Sequence, residues 1–220
     1  RDHVIATLPP GVQLNPVAGS DIDASLVGTT GDTTLDANPL TAALRELDSM
    51  GCHSWEKSVP AAALVGSVEQ RWAMLQGLLD SDGSVASITR RDGGRAGSPT
   101  FCSASEVLVR DVQALVQSLG GVATYHCKDE PTYVYKGEKL IGRPSHQLWL
   151  NLPADLGTPF RLEAKAQRYV PQQKYKPVRS IVSVEAMPAQ EMVCIAVDSV
   201  DHLFITRDYI VTHNTIQVLL

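Results

Sequence analysis

Residues 75–83 read Leu-Gln-Gly-Leu-Leu-Asp-Ser-Asp-Gly, and this stretch has the clearest structural pattern in the chain. Trp72, Leu75 and Leu79 recur three or four positions apart, which places them on one face of a predicted helix. Asp82 continues the same face. The pattern therefore predicts a helix whose apolar face packs on a core and whose last turn carries a carboxylate.

Two glycines in this stretch add to the prediction. Gly77 lets the backbone of another helix approach closely. Gly83 ends the helix, because glycine adopts a positive φ without steric cost. Asp82 then lies at the helix end, where a carboxylate can bind a hard divalent cation. The alternative for residues 80–83 is a solvated helix end or a chance calcium-like loop.

The following segment predicts strands around a second helix. In order, the elements are a strand at 84–91, a turn at 92–97, a returning strand at 100–102, a helix at 105–121, and strands at 133–135 and 146–150. The helix ends at two glycines, and its expected core positions are Val109, Val112, Leu115, Val116 and Leu119.

Only the middle of the chain has a basic excess. The net charge is −5, yet residues 84–145 hold 8 basic and 6 acidic side chains, against 4 and 11 in residues 1–83. We therefore expect any nucleic-acid surface in the middle segment. The candidate DNA contacts lie on the first strand and its turn, at Ser87, Thr89, Arg91 and Arg95.

Residues 75–83 resemble the LAGLIDADG motif of homing endonucleases, and the elements after them resemble one αββαββ repeat of that family. The resemblance implies double-stranded DNA as partner, Mg²⁺ as cofactor of the nuclease, and Asp82 as catalytic residue and metal ligand. Residues 51–60 are similar to the end of a first repeat, which implies that Lys57 is an auxiliary catalytic lysine. A surface lysine is an equal alternative for Lys57. No first LAGLIDADG helix precedes Leu75, so we expect no DNA cleavage unless another chain supplies the missing half.

Residues 211–215 read Val-Thr-His-Asn-Thr and carry a second kind of chemistry. The side-chain amide of Asn214 can attack its own main-chain carbonyl, which closes a succinimide and cuts the following peptide bond. His213 can protonate that bond near neutral pH, and the hydroxyl of Thr215 can accept an acyl group. An ordinary polar turn is the alternative for the triplet alone.

The triplet and the runs before it resemble the last two sequence blocks of an intein, which are a strand, x-His-x-Phe, a strand and His-Asn. In residues 192–197, Cys194 stands where most inteins carry an aspartate. The resemblance implies the less common class in which this cysteine is the first nucleophile, with His202 handling protons and Thr212 orienting Cys194 or the junction. A buried strand cysteine and a turn histidine are the alternatives for Cys194 and His202.

We therefore expect an α+β chain, in which a LAGLIDADG repeat precedes the C-terminal strands of an all-β Hint splicing domain. The expected parts are the truncated end of a first endonuclease repeat (1–65), the second repeat (66–155), a connector (156–175), the Hint part (176–214) and the beginning of the C-extein (215–220). The period-two alternation at 176–185 predicts the strand that opens the Hint part. The last residues resemble the sequence after Gly-Lys in SNF2-type helicases, which implies that host.

Splicing by this chain would need no cofactor, but it would need an N-terminal intein half and the flanking exteins as partners. No apolar run approaches the roughly 20 residues of a membrane span. The four cysteines contain no Cys-x-x-Cys pair, which favours reduced thiols in the cytoplasm. The rival hypothesis is a non-catalytic DNA-binding module from a decayed nuclease repeat, which leaves Cys194, Thr212 and His213-Asn214-Thr215 unexplained.

Overall fold

The computed structural model describes residues 8–20, 23–29, 38–89, 95–171, 177–191, 193 and 195–213. The strands are β1 (Val12–Pro16), β2 (Ala24–Gly28), β3 (Gly83–Thr89), β4 (Arg95–Ser103), β5 (Val122–Lys128), β6 (Thr132–Tyr135), β7 (Glu138–Ile141), β8 (Ser145–Asn151), β9 (Leu203–Ile205) and β10 (Val211–His213). The helices are α1 (Pro39–Glu46), α2 (Ala61–Leu64), α3 (Val68–Asp82), α4 (Glu106–Ser118) and α5 (Glu163–Ala166). The fold is α+β, as expected. None of the helices in these ranges is long and apolar enough to cross a membrane.

An antiparallel sheet of four strands, in the order β3-β4-β8-β5, forms the centre of the fold. Helices α3 and α4 pack on one face of this sheet. The core between helices and sheet includes Leu75 and Leu79 from α3 and Phe101 and Leu148 from the sheet, all with no exposed surface. At about 25 cal/mol per Å², burial of such side chains is the main stabilising contribution in a domain of this size.

Helix α3 begins at a capping box, in which Ser67 and Gln70 exchange hydrogen bonds between side chain and backbone. It ends at Asp82, as predicted, but the predicted positive φ at Gly83 is wrong, since its φ is −84°. The residue is glycine for another reason: a Cβ there would lie 2.5 Å from the carbonyl oxygen of Leu79. The helix therefore turns directly into β3 where no side chain fits.

Helix α4 confirms the amphipathic pattern. Its five predicted core positions are all buried, and Ser105 caps its first turn. Gly120 follows the helix with a φ of +79°, so the predicted stop at the two glycines is confirmed. Asn38 likewise caps α1, by accepting hydrogen bonds from the backbone of residues 40 and 41.

The last two strands of the αββαββ repeat differ from the sequence prediction. The residues at 133–135 form strand β6, but β6 pairs only with β7, as a separate two-stranded hairpin. In the main sheet β8 pairs on one side with β4 and on the other with β5, a strand that was not predicted. The hairpin is thus an insertion between the two closing strands.

Residues 157–170, here called the strap, follow β8 and lie across the end of α3 and the start of β3. Pro159 and Phe160 are fully buried, and the edge of the Tyr169 ring packs on Phe160. The backbone N–H of Val170 donates to the carbonyl of Gly97. Although this segment reads as a polar connector, it packs on the helix-and-sheet body.

The predicted strand at 176–185 is not present in the described residues 177–185, which have no regular secondary structure. The alternating apolar side chains here are largely exposed; Val182, for example, is 97% exposed. Alternation predicts a strand only where a second strand supplies hydrogen-bond partners. No described strand pairs with this segment.

Candidate functional site

A cleft of about 420 Å³ opens at the end of α3. Its walls come from the helix end, one loop before α2, the end of β4 and the start of β8 with the residues before it. The lining residues are Ser54, Lys57, Asp82, Cys102, Ser103, Ala104, Arg143, Pro144 and Ser145. Lys57 and Asp82 were predicted as site residues from two separate sequence motifs. The fold brings both into this one cleft.

The backbone around Lys57 is fixed by the first half of α4. The buried hydroxyl of Ser105 donates to the carbonyl of Lys57 at 2.6 Å, and the N–H of Val59 donates to the carboxylate of Asp111 at 2.8 Å. Burial raises the pKa of Asp111, and the hydrogen bond from Val59 lowers it in part. These two bonds hold the lysine at the mouth of the cleft although its side chain is exposed.

The two acids of the motif have different environments. The carboxylate of Asp80 accepts hydrogen bonds from the backbone N–H groups of Arg161 and Leu162 at 3.1–3.2 Å. The carboxylate of Asp82 is exposed and lines the cleft. Asp80 therefore joins the helix to the strap, whereas Asp82 is the acid available to a ligand.

Arg143 is a site residue that the sequence motifs missed. Its guanidinium lies 3.6 Å from the centre of the Trp55 ring, and His53 stacks on the same indole at 4.4 Å. Such a cation–π contact holds an arginine in place while its N–H groups stay free for an anion. Lys57 lines the same cleft as Arg143. The cleft therefore contains two cations and one carboxylate, and this positive excess suits a phosphate group.

The number of carboxylates in the cleft limits how it could bind a metal ion. Asp82 is the one acid among the lining residues, and no group of three His, Cys, Asp or Glu side chains converges anywhere in the described part of the chain. Mg²⁺ is usually held by one or two carboxylates, with water and phosphate oxygens as the other ligands. Asp82 therefore fits this cation as one ligand of an incomplete set.

Three of the four predicted DNA contacts, Ser87, Thr89 and Arg95, lie at the far end of the β3–β4 pair. Ser87 is exposed, and it shares the side of β3 that carries buried Val85. Thr89 and Arg95 pair across the two strands, but their side chains lie outside what the structure describes. Arg91 lies entirely outside the described residues.

The face of the sheet away from the helices carries polar side chains that the sequence reasoning missed. Strand β8 alternates buried His146, Leu148 and Leu150 with partly exposed Gln147 and Trp149. In β5, exposed Thr124 and His126 pair with Trp149 and Gln147. The alternation of polar and apolar residues in 145–151 was the sequence signal that could have predicted this face. This face, here called the open face, lies beside the cleft, because Ser145 lines the cleft and begins β8.

An apolar groove runs along the other side of α3, with a volume of about 670 Å³. Gly77 lies on it, and a Cβ built there meets no atom within 4 Å. The lining residues are Leu47, Pro60, Ala62, Ala63, Gln70, Ala73, Met74, Gly77 and Leu78. The close helix approach predicted at Gly77 is therefore not made by any described part of this chain.

Strands β9 and β10 form an antiparallel hairpin in the region of the predicted splice junction. Thr212 pairs with Phe204, and His213 pairs with Leu203. His202 precedes β9 with a φ of +53°, and its Nδ1 lies 3.4 Å from the carbonyl oxygen of Val197. The hairpin thus places Leu203, the residue after His202, opposite His213.

The polar turn before β9 has a defined structure. The N–H of His202 donates to the carbonyl of Ser199 at 3.0 Å, and the N–H of Leu203 donates to the carboxylate of Asp201 at 3.1 Å. This second bond lowers the pKa of Asp201, together with a hydrogen bond from the Ser199 side chain. The other predicted splicing residues, Cys194, Asn214 and Thr215, lie outside the described residues.

Residues 69–149 match the family of LAGLIDADG-like domains. This stretch includes most of α3 and the elements that follow it as far as β8, and it supports an element of the homing endonuclease or intein type. The chain is also similar to a protein named replicative DNA helicase DnaB, from Mycobacterium intracellulare, with 29% identity over 199 residues. That alignment covers 88% of this chain, which spans 30% of the length of the relative.

Proposed function

We propose that this chain is the latter part of an intein, that it cleaves the peptide bond after Asn214, and that its LAGLIDADG repeat recognises double-stranded DNA. One observation carries the splicing proposal: the hairpin of β9 and β10 pairs Leu203 with His213. This register supports joint action of His202 and His213 on the bond that follows Asn214, because His202 directly precedes the residue paired with His213.

Cleavage is an intramolecular acyl substitution. The side-chain nitrogen of Asn214 forms a bond to its own carbonyl carbon, and the bond from that carbon to the nitrogen of Thr215 breaks. The leaving nitrogen takes a proton, which His213 is suited to supply near neutral pH. His202 is suited to accept the proton that the attacking amide loses. Alignment of the reacting groups next to β10 would lower the entropic part of the barrier.

The complete splicing reaction needs an upstream junction on another segment. In the proposed sequence the Cys194 thiolate attacks the carbonyl carbon of that junction, whose peptide C–N bond breaks as the thioester forms and the amine takes a proton. The hydroxyl of Thr215 then attacks the thioester, loses its proton and takes over the acyl group as the Cys194 thiolate leaves. After Asn214 cyclises, a shift of the acyl group from oxygen to nitrogen forms the new peptide bond. Thr212 is proposed to orient Cys194 or the junction. The cysteine-first class stays a prediction.

For the nuclease repeat, we propose DNA binding across the open face, with a phosphate group in the cleft between Lys57 and Arg143. Mg²⁺ bound by Asp82 would stabilise negative charge on that phosphate. A second acid is required for a complete site, and a helix docked in the apolar groove beside Gly77 is the natural way to supply it. Without that helix we expect DNA binding without cleavage.

The host protein is proposed to be a helicase. The similar protein from Mycobacterium intracellulare is a DnaB helicase by name, which supports a helicase in general. The SNF2 type, predicted from Thr215-Ile216-Gln217, stays a prediction.

The test of splicing is direct. The purified chain is incubated at pH 6–8, and mass spectrometry follows release of residues 215–220. Release that Asn214→Ala abolishes and His213→Ala slows supports the intein, while Asn15→Ala, in β1, serves as a control that should behave as wild type. A chain that stays intact, or that loses the peptide equally in the Asn214→Ala variant, would overturn the proposal.

The rival function, a DNA-binding module without chemistry, is favoured by the single acid in the cleft. It predicts a stable full-length chain that binds duplex DNA tightly at physiological salt and releases no peptide. Binding measured by fluorescence anisotropy, together with the mass-spectrometric result, separates the two proposals.

A further inference from the structure

The ammonium group of Lys165 lies on the backbone carbonyls at the end of α3. Its Nζ donates to the carbonyl oxygens of Leu79 at 3.0 Å, Asp80 at 2.6 Å and Gly83 at 2.7 Å, and the oxygen of Ser81 lies at 3.5 Å. Helix ends leave their last carbonyls without partners. Here one half-buried side chain from the strap donates to three of the carbonyls around Asp82, and the one on Leu79 also accepts the N–H of Gly83.

The chemistry of this contact is specific to lysine. An ammonium group has three N–H donors on a single atom, and three carbonyl oxygens converge on it within 3.0 Å. A guanidinium spreads its donors over a planar fork and cannot direct three of them to one point. The positive charge also lies at the negative end of the helix dipole, where a cation is stabilising.

The strap is held against the same region on both sides of Lys165. Upstream, its backbone N–H groups at 161 and 162 donate to Asp80, and Gln76 donates to the carbonyl of Thr158 at 2.9 Å. Downstream, the Arg168 guanidinium donates to the carbonyl of Val85 at 2.9 Å. A Cβ on Gly97 would lie 2.1 Å from the carbonyl oxygen of Arg168, so the fit of the strap on β4 requires a glycine.

We propose that Lys165 is a positioning residue for the cleft: it fixes the last turn of α3 and thereby fixes the carboxylate of Asp82. The inference rests on the proposed cation-binding role of Asp82. Within residues 79–83, Lys165 binds the carbonyls of Leu79, Asp80 and Gly83 at 3.0 Å or less. The carbonyl of Ser81 lies at 3.5 Å, and that of Asp82 is not bound. The backbone of Asp82 is therefore held from both sides, while its side chain stays exposed to the cleft.

The test compares four variants of the full chain. Lys165→Met removes the donors and keeps most of the apolar stem. Lys165→Arg keeps the charge and changes the donor geometry. Arg168→Met is the matched control, because it removes another strap cation that binds a backbone carbonyl, but one away from the helix end. Asp82→Asn removes the proposed cation ligand and shows how much of the Mn²⁺ affinity depends on Asp82.

Two measurements are made on each variant. Hydrogen exchange of the backbone amides reports on residues 81–84, and the electron paramagnetic resonance signal of free Mn²⁺ gives the cation affinity. Because hydrogen bonds from charged groups are the stronger kind, Lys165→Met should speed exchange at 81–84 about tenfold or more. Mn²⁺ affinity should fall by a similar factor, and Lys165→Arg should show most of both effects. Arg168→Met should stay within about twofold of wild type at 81–84.

Three results would overturn the proposal. One is unchanged exchange at 81–84 in Lys165→Met. Another is faster exchange throughout the chain, which would make Lys165 a general structural residue. The third is wild-type behaviour of Lys165→Arg, which would leave only its charge important. If instead wild type and Asp82→Asn bind Mn²⁺ equally, the proposed role of Asp82 fails, and the exchange data still decide whether Lys165 fixes the helix end.

Discussion

Asp80 and Asp82 lie two residues apart in the last turn of α3, and of the two only Asp80 has a carboxylate that accepts backbone hydrogen bonds from the described part of the chain. Its carboxylate accepts backbone hydrogen bonds from residues 161 and 162, while that of Asp82 is exposed in the cleft. A helix turns by about 100° per residue, so side chains two positions apart face nearly opposite directions. The motif thus separates a structural acid from a candidate ligand.

This separation predicts opposite behaviour of two alanine variants. Asp80→Ala removes the acceptor for two backbone N–H groups and should lower the free energy of unfolding by about 1–2 kcal/mol. Asp82→Ala removes no hydrogen bond that the fold uses and should change it by less than about 0.5 kcal/mol. Urea denaturation followed by circular dichroism measures both. Equal destabilisation by the two variants would contradict the assignment.

Gly77 and Gly83 offer a second matched pair in the same helix. At Gly77 a Cβ meets no atom within 4 Å, so Gly77→Ala should stabilise the chain by about 0.5–1 kcal/mol through better helix propensity. At Gly83 a Cβ would lie 2.5 Å from the Leu79 carbonyl oxygen, so Gly83→Ala should destabilise by about 1–3 kcal/mol. Thermal unfolding gives the sign of each change.

The Gly77 variant also tests the groove. If a second helix docks there to complete the nuclease, Gly77→Ala should weaken that docking although it stabilises the isolated chain. Analytical ultracentrifugation of the chain with an added first-repeat segment would measure the loss. Undiminished docking would place the partner helix elsewhere.

The sequence predicted α3 and α4 well because both depend on local signals. Their caps at Ser67 and Ser105 and their apolar spacing are contained within each segment. Strand β5 and the strap were missed, because their positions depend on contacts with residues far away in the chain. The Nζ of Lys165, for example, binds a carbonyl 86 residues away in sequence, and no periodicity carries that information.

The candidate site was predictable only in part for the same reason. Asp82 and Lys57 belong to recognisable motifs, so the sequence could name them. Arg143 enters the cleft through its stacking on Trp55, a contact between two loops that no motif contains. The alternation at 176–185 misled, because it indicates a surface suited to a sheet and says nothing about whether a partner strand is present.

Replacement of Ser105 should destabilise the chain more than replacement of Ser67, the other serine that caps a helix. Ser105 is completely buried, caps Leu108 and donates to the carbonyl of Lys57. Ser105→Ala should therefore cost about 2–3 kcal/mol, since it leaves buried backbone groups without partners. Ser67→Ala, at the capping box of α3, should cost about 1 kcal/mol. Denaturant titrations that ranked the two in the reverse order would contradict the anchoring role of Ser105.

The pH dependence of stability should report on Asp111, whose pKa is raised chiefly by burial. A raised pKa in the folded state means that folding favours the protonated carboxyl. The resulting stabilisation is complete below the ordinary value of about 4 and is lost as the pH rises through the raised pKa. Asp111→Asn keeps an acceptor for Val59 and has no charge to lose, so it removes this contribution.

The melting temperature of wild type minus that of Asp111→Asn should therefore fall as the pH rises from about 4 through the raised pKa. Asp111→Ala is the second comparison, since it leaves the Val59 N–H without its acceptor and should destabilise at every pH in this range. Differential scanning calorimetry in half-unit pH steps gives all three curves. A difference between wild type and Asp111→Asn that stays flat, or grows with pH, would show that the hydrogen bond from Val59 outweighs the effect of burial.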